Sequence, residues 1–256
     1  MGKIIAISNQ KGGVGKTTTC VNLGSSVALL GKKTLIIDFD PQSNATGGFG
    51  INKNDNEDNI YSALIGEKTV KEIVKETMVP NLYLATSSVD LSGAEVELSN
   101  HPDRAKKLKA LLESIKDEYN YIFIDCPPSM GILTLNALVA TDSVLIPLQC
   151  EYYALEGISQ LLLSTNLIRQ KYNPSLSIEG IVFTMYDGRN NISKQVIDEV
   201  RQHLSEHIFD AIIPRNVRLS EAPSFGKPIF FYDRSSKGSI SYFQLAKELL
   251  YRNGEL

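Results

Sequence analysis

The sequence predicts an α/β fold: a doubly wound, mostly parallel sheet flanked by helices. Three observations lead there. Apolar runs recur at 4–7, 34–38, 121–125, 143–147 and 180–185, each too continuous to alternate, as expected of parallel strands buried on both faces. Helical periodicity lies between them, giving five or more strand–helix alternations. The first run passes straight into a glycine-rich turn and then into Lys16-Thr17-Thr18, which opens a helix. At 256 residues with ordinary apolar content, the chain is expected to bury one core and to form a single domain over 1–256.

The strand–turn–helix unit at 4–19 organises the rest. Gly12, Gly13 and Gly15, with Val14 between them, let the backbone curl so that successive N–H groups point at an anion. The following helix aims its positive end at the same spot. Lys16 adds a point charge for β- and γ-phosphates, and the Thr17 hydroxyl suits a Mg²⁺ bridging them, with Thr18 next in the turn. This reads as a cradle for a nucleoside triphosphate. The strict phosphate-loop spacing is not met: the first glycine position holds Gln10, and Lys11 follows. With Lys16 already on the phosphates, Lys11 has no easy role toward its own ligand. It could reach the phosphates of a facing copy, and Gly12 is small enough to let two backbones approach.

Lys-Gly-Gly-Val-Gly-Lys-Thr-Thr over 11–18 resembles the deviant Walker A motif of the ParA/MinD family of dimerising ATPases. The resemblance covers nearly the whole chain and is nearest the small chromosomal ParA type, often called Soj. It implies a phosphate-loop NTPase-like fold, ATP and Mg²⁺ as cofactors, and Lys11 as the signature lysine that crosses a homodimer interface. With Lys16 and Asp40, Lys11 makes up the implied catalytic set.

The helix after the cradle is predicted over 16–30, stopping at Gly31. The strand 34–38 ends in Asp38-Phe39-Asp40, at the edge where open α/β sheets bind ligands. Similarity to the family gives Asp38 to the Mg²⁺ shell and Asp40 to orienting or activating the attacking water; capping a turn is the plain alternative. The polar stretch 52–59 reads as a mobile surface loop. Helices are predicted at 60–65, 70–75 and 104–119, with a strand at 82–85. In the last of these helices Leu108, Leu111, Leu112 and Ile115 form one stripe, and the nearby Lys106, Lys107 and Lys109 read as a solvated face. The strand 121–125 closes on Asp125, a Walker B arrangement in which the carboxylate holds Mg²⁺ directly or through water. Pro127 and Pro128 force the chain out of helix, and the resemblance marks this segment as switch II. After the strand at 143–147, the run 149–157 resembles the family segment along the dimer face. Glu151 there is open between contacting the partner's nucleotide sugar or the magnesium waters and capping a helix. A helix to about 172, the strand 180–185 and a last helix over 239–251 complete the alternation.

Bulk properties limit the function. The net charge is −3, with 26 Lys/Arg and 29 Asp/Glu, so nucleic-acid binding would need a local patch. Three separated cysteines argue for reduced thiols and against a disulfide framework, zinc site or iron–sulfur cluster. No signal peptide is seen before the first strand, and no apolar run approaches membrane-spanning length, so cytoplasmic residence and no membrane partner are expected. Residues 186–256 carry ten Lys/Arg against nine Asp/Glu, a modest excess. The resemblance sharpens it: Arg189 and Arg218 match positions that carry nonspecific DNA binding in Soj-type proteins, although Arg218 could instead pair with Glu221. Pro214 and Asn216 are placed at the adenine by the same similarity, a rigid ring beside an amide that donates and accepts. The implied protein dimerises on ATP, binds double-stranded DNA without sequence preference, and is released by hydrolysis that a ParB-type partner stimulates. The first strand begins at residue 3, leaving no room for an operator-reading helix-turn-helix. The competing expectation is a MinD-like membrane-associated ATPase, which wants a basic amphipathic C-terminal helix. The end here has only Lys247 and Arg252 against Glu248 and Glu255. A metabolic enzyme on the same cradle would leave Lys11 without a purpose.

Overall fold

In the computed structural model, which describes residues 2–53, 58–99, 102–151 and 154–256, the apolar runs assemble into one seven-stranded sheet. The strands are β1 (Lys3–Ile7), β2 (Thr34–Asp38), β3 (Val74–Glu76), β4 (Leu82–Ala85), β5 (Tyr121–Asp125), β6 (Ser143–Gln149) and β7 (Ser177–Thr184). Their order is β3-β4-β2-β5-β1-β6-β7, and only β3 runs antiparallel to its neighbour. The continuous apolar runs are explained by burial on both faces. Along β1, Ile4 and Ala6 enter one core cluster while Ile5 and Ile7 enter the other. Helices Ile132–Ala140 and Ala154–Lys171 contribute to the first cluster, and Lys16–Leu29 and Lys237–Arg252 to the second.

Helix Lys16–Leu29 lies close on the sheet because residue 24 is glycine. A Cβ there would stand 2.7 Å from Ile36 Cδ1 and 3.5 Å from Phe123. Across this helix packs Lys237–Arg252, with Tyr242, Leu245, Ala246, Leu249 and Leu250 buried and the Tyr242 hydroxyl 3.1 Å from Thr19 Oγ1. Its apolar face is thus consumed by the core, and among the described residues no helix is long and apolar enough to cross a membrane.

Two predicted helices differ. The expected 70–75 helix is a single turn, Val70–Ile73, after which Val74–Glu76 pairs with β4 as the edge strand. Thr69 and Glu72 form a capping box that starts the turn, but the β-branched Val74 is better placed in the ladder. The expected 104–119 helix shortens to Lys107–Glu113 plus a 3₁₀ turn at Lys116–Glu118, with Leu108, Leu112 and Ile115 buried as anticipated. β6 extends past Pro147 to Gln149. Proline is tolerated because its last β1 pairing partner is already behind it, at Leu145. Of the loop expected at 52–59, residues 54–57 lie outside the described residues.

Candidate functional site

The ends of β1, β2 and β5 converge, because Ile7 and Asp38 are each register partners of Asp125. From β1 the chain enters the glycine turn, braced by Asn9. Its Nδ2 donates to Pro147 O at 2.8 Å and its Oδ1 accepts from the Lys11 N–H at 3.0 Å. Gly13 and Gly15 take φ of +74° and +89°, a region that costs an L side chain about 1–2 kcal/mol. Gly15 caps helix Lys16–Leu29 with no side chain on the first-turn N–H groups and no acid nearby in that turn. The positive helix end is therefore left open toward the loop. Lys16 is 7 % exposed and folds its ammonium back onto Lys11 O at 3.0 Å. Burial lowers its pKa, and Asp125 is the main opposing charge.

Three carboxylates stand beside this loop in unequal condition. Asp38 is fully buried; its Oδ2 accepts from Thr46 N–H at 2.7 Å and Thr46 Oγ1 at 2.6 Å, and its Oδ1 accepts from Asp40 N–H at 3.3 Å. Burial still pushes it up to about 6. Asp40 is nearly buried and accepts from Gln42 N–H at 2.9 Å, while Ser87 Oγ holds its carbonyl at 2.9 Å. Ser87 N–H also donates to Thr46 Oγ1 at 3.0 Å, tying the Asp38–Thr46 pair to the segment just after β4. Asp125 is fully buried, and neither of its oxygens makes a well-formed hydrogen bond, although the Thr17 hydroxyl stands beside it. Burial first, and Asp38 next, push its pKa well up, while the neighbouring Thr17 hydroxyl and Lys16 ammonium pull the other way. A buried carboxylate with so little hydrogen bonding suits a hard cation. Among the described residues no set of three or more His, Cys, Asp or Glu comes together as a metal cage. Mg²⁺ takes one or two carboxylates and completes its shell with phosphate oxygens and water.

A cavity of about 530 Å³ opens from Gly15 and Thr18 toward Thr184, Met185, Pro214 and Asn216. Thr184 Oγ1 donates to Val14 O at 2.9 Å, fixing the end of β7 to the loop. Met185 beside it has φ +52°, a left-handed conformation uncommon for its type. The sequence leads one to expect that Asn216 offers both halves of its amide. In the structure Oδ1 caps helix Val217–Glu221 by accepting from Leu219 N–H at 3.3 Å, which leaves the donor half for a ligand.

Three predicted residues stand apart from this cluster. Lys11 Nζ lies 2.8 Å from Glu151 Oε2 of its own chain, and Gln149 Nε2 donates to the other Glu151 oxygen. Glu151 is thus paired within its own chain, and the neighbouring 152 and 153 lie outside the described residues. Arg189, in the turn before helix Asn191–Leu204, is bound through Nε and Nη2 to Asp187 at 2.9 and 2.7 Å. Arg218 makes the anticipated pair with Glu221 at 2.9 Å, and reaches Asp233 at 3.5 Å. Both guanidiniums remain solvent-accessible, Arg189 at 90 % and Arg218 at 54 %.

Sequence reasoning missed Asn9, Thr46, Ser87 and Thr184. Thr46 had a faint signal, as the hydroxyl in the polar run after Asp40; the others are single polar residues at or just past strand ends, most of whose partners are distant in sequence.

Comparison with known proteins agrees with this geometry. A family model described as an AAA domain matches residues 2–178. The chain is 54% identical over 249 residues to the sporulation initiation inhibitor protein Soj of Bacillus subtilis strain 168, covering 97% of this chain and 98% of that one. It is 53% identical to the chromosome partitioning protein ParA of Myxococcus xanthus, covering 99% and 89%. Among solved structures, cobyrinic acid a,c-diamide synthase from Mycobacterium smegmatis with bound ADP and magnesium superposes with a TM-score of 0.87 at 32% identity, covering 99% of this chain and 97% of that one. With the phosphate loop, the paired strand-end aspartates and 53–54% identity to Soj and ParA over nearly the full length in hand, the chain belongs to the ParA/MinD family of deviant Walker A ATPases, on its ParA/Soj-type branch.

Proposed function

We propose that residues 1–256 act as one ATPase domain that binds ATP with Mg²⁺ and then pairs face to face with a second copy. The pair binds duplex DNA without sequence preference, and slow hydrolysis, stimulated by a ParB-type partner, releases it. The process served is chromosome or plasmid partitioning, in the cytoplasm on the nucleoid. The names of the Soj and ParA relatives support the process, and the ADP and magnesium in the diamide synthase support the ligands.

One observation carries the reading: Asp125 is buried without a well-formed hydrogen bond beside an open phosphate loop. Asp125 and the Thr17 hydroxyl would hold Mg²⁺, and Asp38, already occupied by Thr46, would reach its shell through water. When bound, the ion offsets charge on the β- and γ-phosphates. The loop N–H groups of Gly12 to Thr18 hold the phosphate oxygens, and Lys16 leaves its backbone acceptor to join them. Asp40 orients the attacking water, a positioning role that suits phosphoryl transfer, and Lys11 supplies a second ammonium from across the interface. Pro214 and the free donor of Asn216 hold the adenine. Arg189 and Arg218 bind DNA phosphates in competition with their present carboxylate partners. Pairing doubles two arginines per subunit to four, so ATP state and DNA affinity become coupled.

The test is DNA binding with ATP, ADP and no nucleotide, with oligomeric state followed alongside. Tight binding confined to the ATP-loaded pair is expected. Equal binding in all three states would contradict the reading.

A further inference from the structure

Lys11 is the residue on which the proposed pairing depends, yet its ammonium does not project from the loop. It rests 2.8 Å from Glu151, 140 residues along the chain, and Glu151 is steadied in turn by Gln149. The Lys11 backbone is held as well, with its N–H on Asn9 Oδ1 at 3.0 Å and its carbonyl receiving Lys16 Nζ at 3.0 Å. Both lysines of the motif are thus occupied within one subunit, Lys16 on a neutral carbonyl and Lys11 on a carboxylate. Phosphate oxygens offer Lys16 a charged acceptor in place of that carbonyl. Triphosphate loading therefore removes one of the bonds that fix residue 11. The Lys11–Glu151 pair is half-exposed, at 37 % and 49 %, so it is weak enough to exchange.

We infer that Glu151 is a positioning residue for Lys11: it holds the signature ammonium in its own subunit while the chain is unpaired, and yields it to the more highly charged triphosphate of a second copy. This rests on the pairing proposed above. It gives Glu151 the opposite sign to a contact with the partner's nucleotide, because removing its charge would then favour pairing.

The experiment is light scattering against protein concentration, with saturating Mg²⁺ and either ATP or ADP, on the parent, Glu151→Gln, Glu151→Asp, Lys11→Gln and the Lys11→Gln/Glu151→Gln double variant. An exposed ion pair is worth up to about fivefold in an equilibrium constant, and a symmetric pair releases two. Glu151→Gln is therefore expected to tighten ATP-dependent pairing by up to about 25-fold, with Glu151→Asp returning toward the parent. On the Lys11→Gln background the gain is expected to vanish. Unchanged or weaker pairing of Glu151→Gln overturns the inference, as does a gain that persists without Lys11. If the parent itself stays single with ATP, the pairing reading fails and this inference falls with it. If the parent pairs and Glu151→Gln gains nothing, the inference alone fails.

Discussion

Replacing Asp125 with asparagine should make the ligand-free protein more stable. The carboxylate is fully buried beside Asp38 in the next strand and makes no well-formed hydrogen bond, and the nearby Thr17 hydroxyl and Lys16 ammonium only partly offset that burial. A buried polar group without partners costs about 1–3 kcal/mol, and a charged one more. Asparagine stays a buried polar group of nearly the same volume, so only the excess cost of the charge is relieved. Each kcal/mol of that excess should raise the melting temperature near pH 8 by about 2–4 °C for a chain of this size. The pH dependence has a definite sign. A carboxyl whose folded pKa is raised binds its proton more tightly when folded, so ligand-free stability falls as pH rises through the window between the unfolded and folded values. For Asp38 that window runs from 3.8 to about 6, and for Asp125 it extends upward from the same start. The advantage of Asp125→Asn should therefore shrink as pH falls toward the ordinary carboxylate value, where the unfolded chain also holds the proton. Magnesium with nucleotide should raise the parent's melting temperature far more than the variant's. The assay is thermal unfolding at several pH values, with and without Mg²⁺ and nucleotide. A variant at or below the parental melting temperature at pH 8 would refute the argument that burial and Asp38 outweigh the Thr17 hydroxyl and the Lys16 ammonium at Asp125.

Further expectations concern neighbouring residues. Asp40→Ala should trap an ATP-loaded pair that still binds DNA, and hydrolysis at the parental rate would remove Asp40 from catalysis. Thr46→Val deletes the hydroxyl that donates to Asp38 and accepts from Ser87; denaturant unfolding should show a drop of about 1–3 kcal/mol, and an unchanged value would mean that Asp38 finds another donor. Arg189→Ala and Arg218→Ala should weaken binding to all DNA sequences alike and lower the salt slope by about 1 for each phosphate that is no longer neutralised. Unchanged affinity of both variants at low salt would exclude that patch. Gly15→Ala, at φ +89°, should cost about 1–2 kcal/mol of stability and most nucleotide affinity, read by unfolding and by nucleotide titration.

What the sequence made legible was whatever repeats or sits at a fixed place in a pattern. Each apolar run closing on an acid announced a buried parallel strand with a carboxylate at its ligand-facing end, so Asp38 and Asp125 could be found one at a time. That they are register partners follows only from the strand order, with β5 between β1 and β2. The Arg218–Glu221 pair was visible because three residues along a helix place side chains together. The hydroxyls of Thr46, Ser87 and Thr184 carry no period, and their partners are chosen by tertiary approach. The edge strand β3 was hidden because residues 70–75 carry a helical pattern that the structure honours for one turn before the ladder takes over. The Lys11–Glu151 pair spans 140 residues, so the motif predicted an outward lysine and gave no hint of its resting partner.

The central claim is that ATP brings two copies together through Lys11. Light scattering of the parent and of Lys11→Gln, each with ATP, with ADP and with no nucleotide, tests it most directly. The account predicts a doubled mass for the parent with ATP alone and a single-chain mass for Lys11→Gln throughout. A parent that stays single with ATP, or a Lys11→Gln chain that pairs as the parent does, would contradict it.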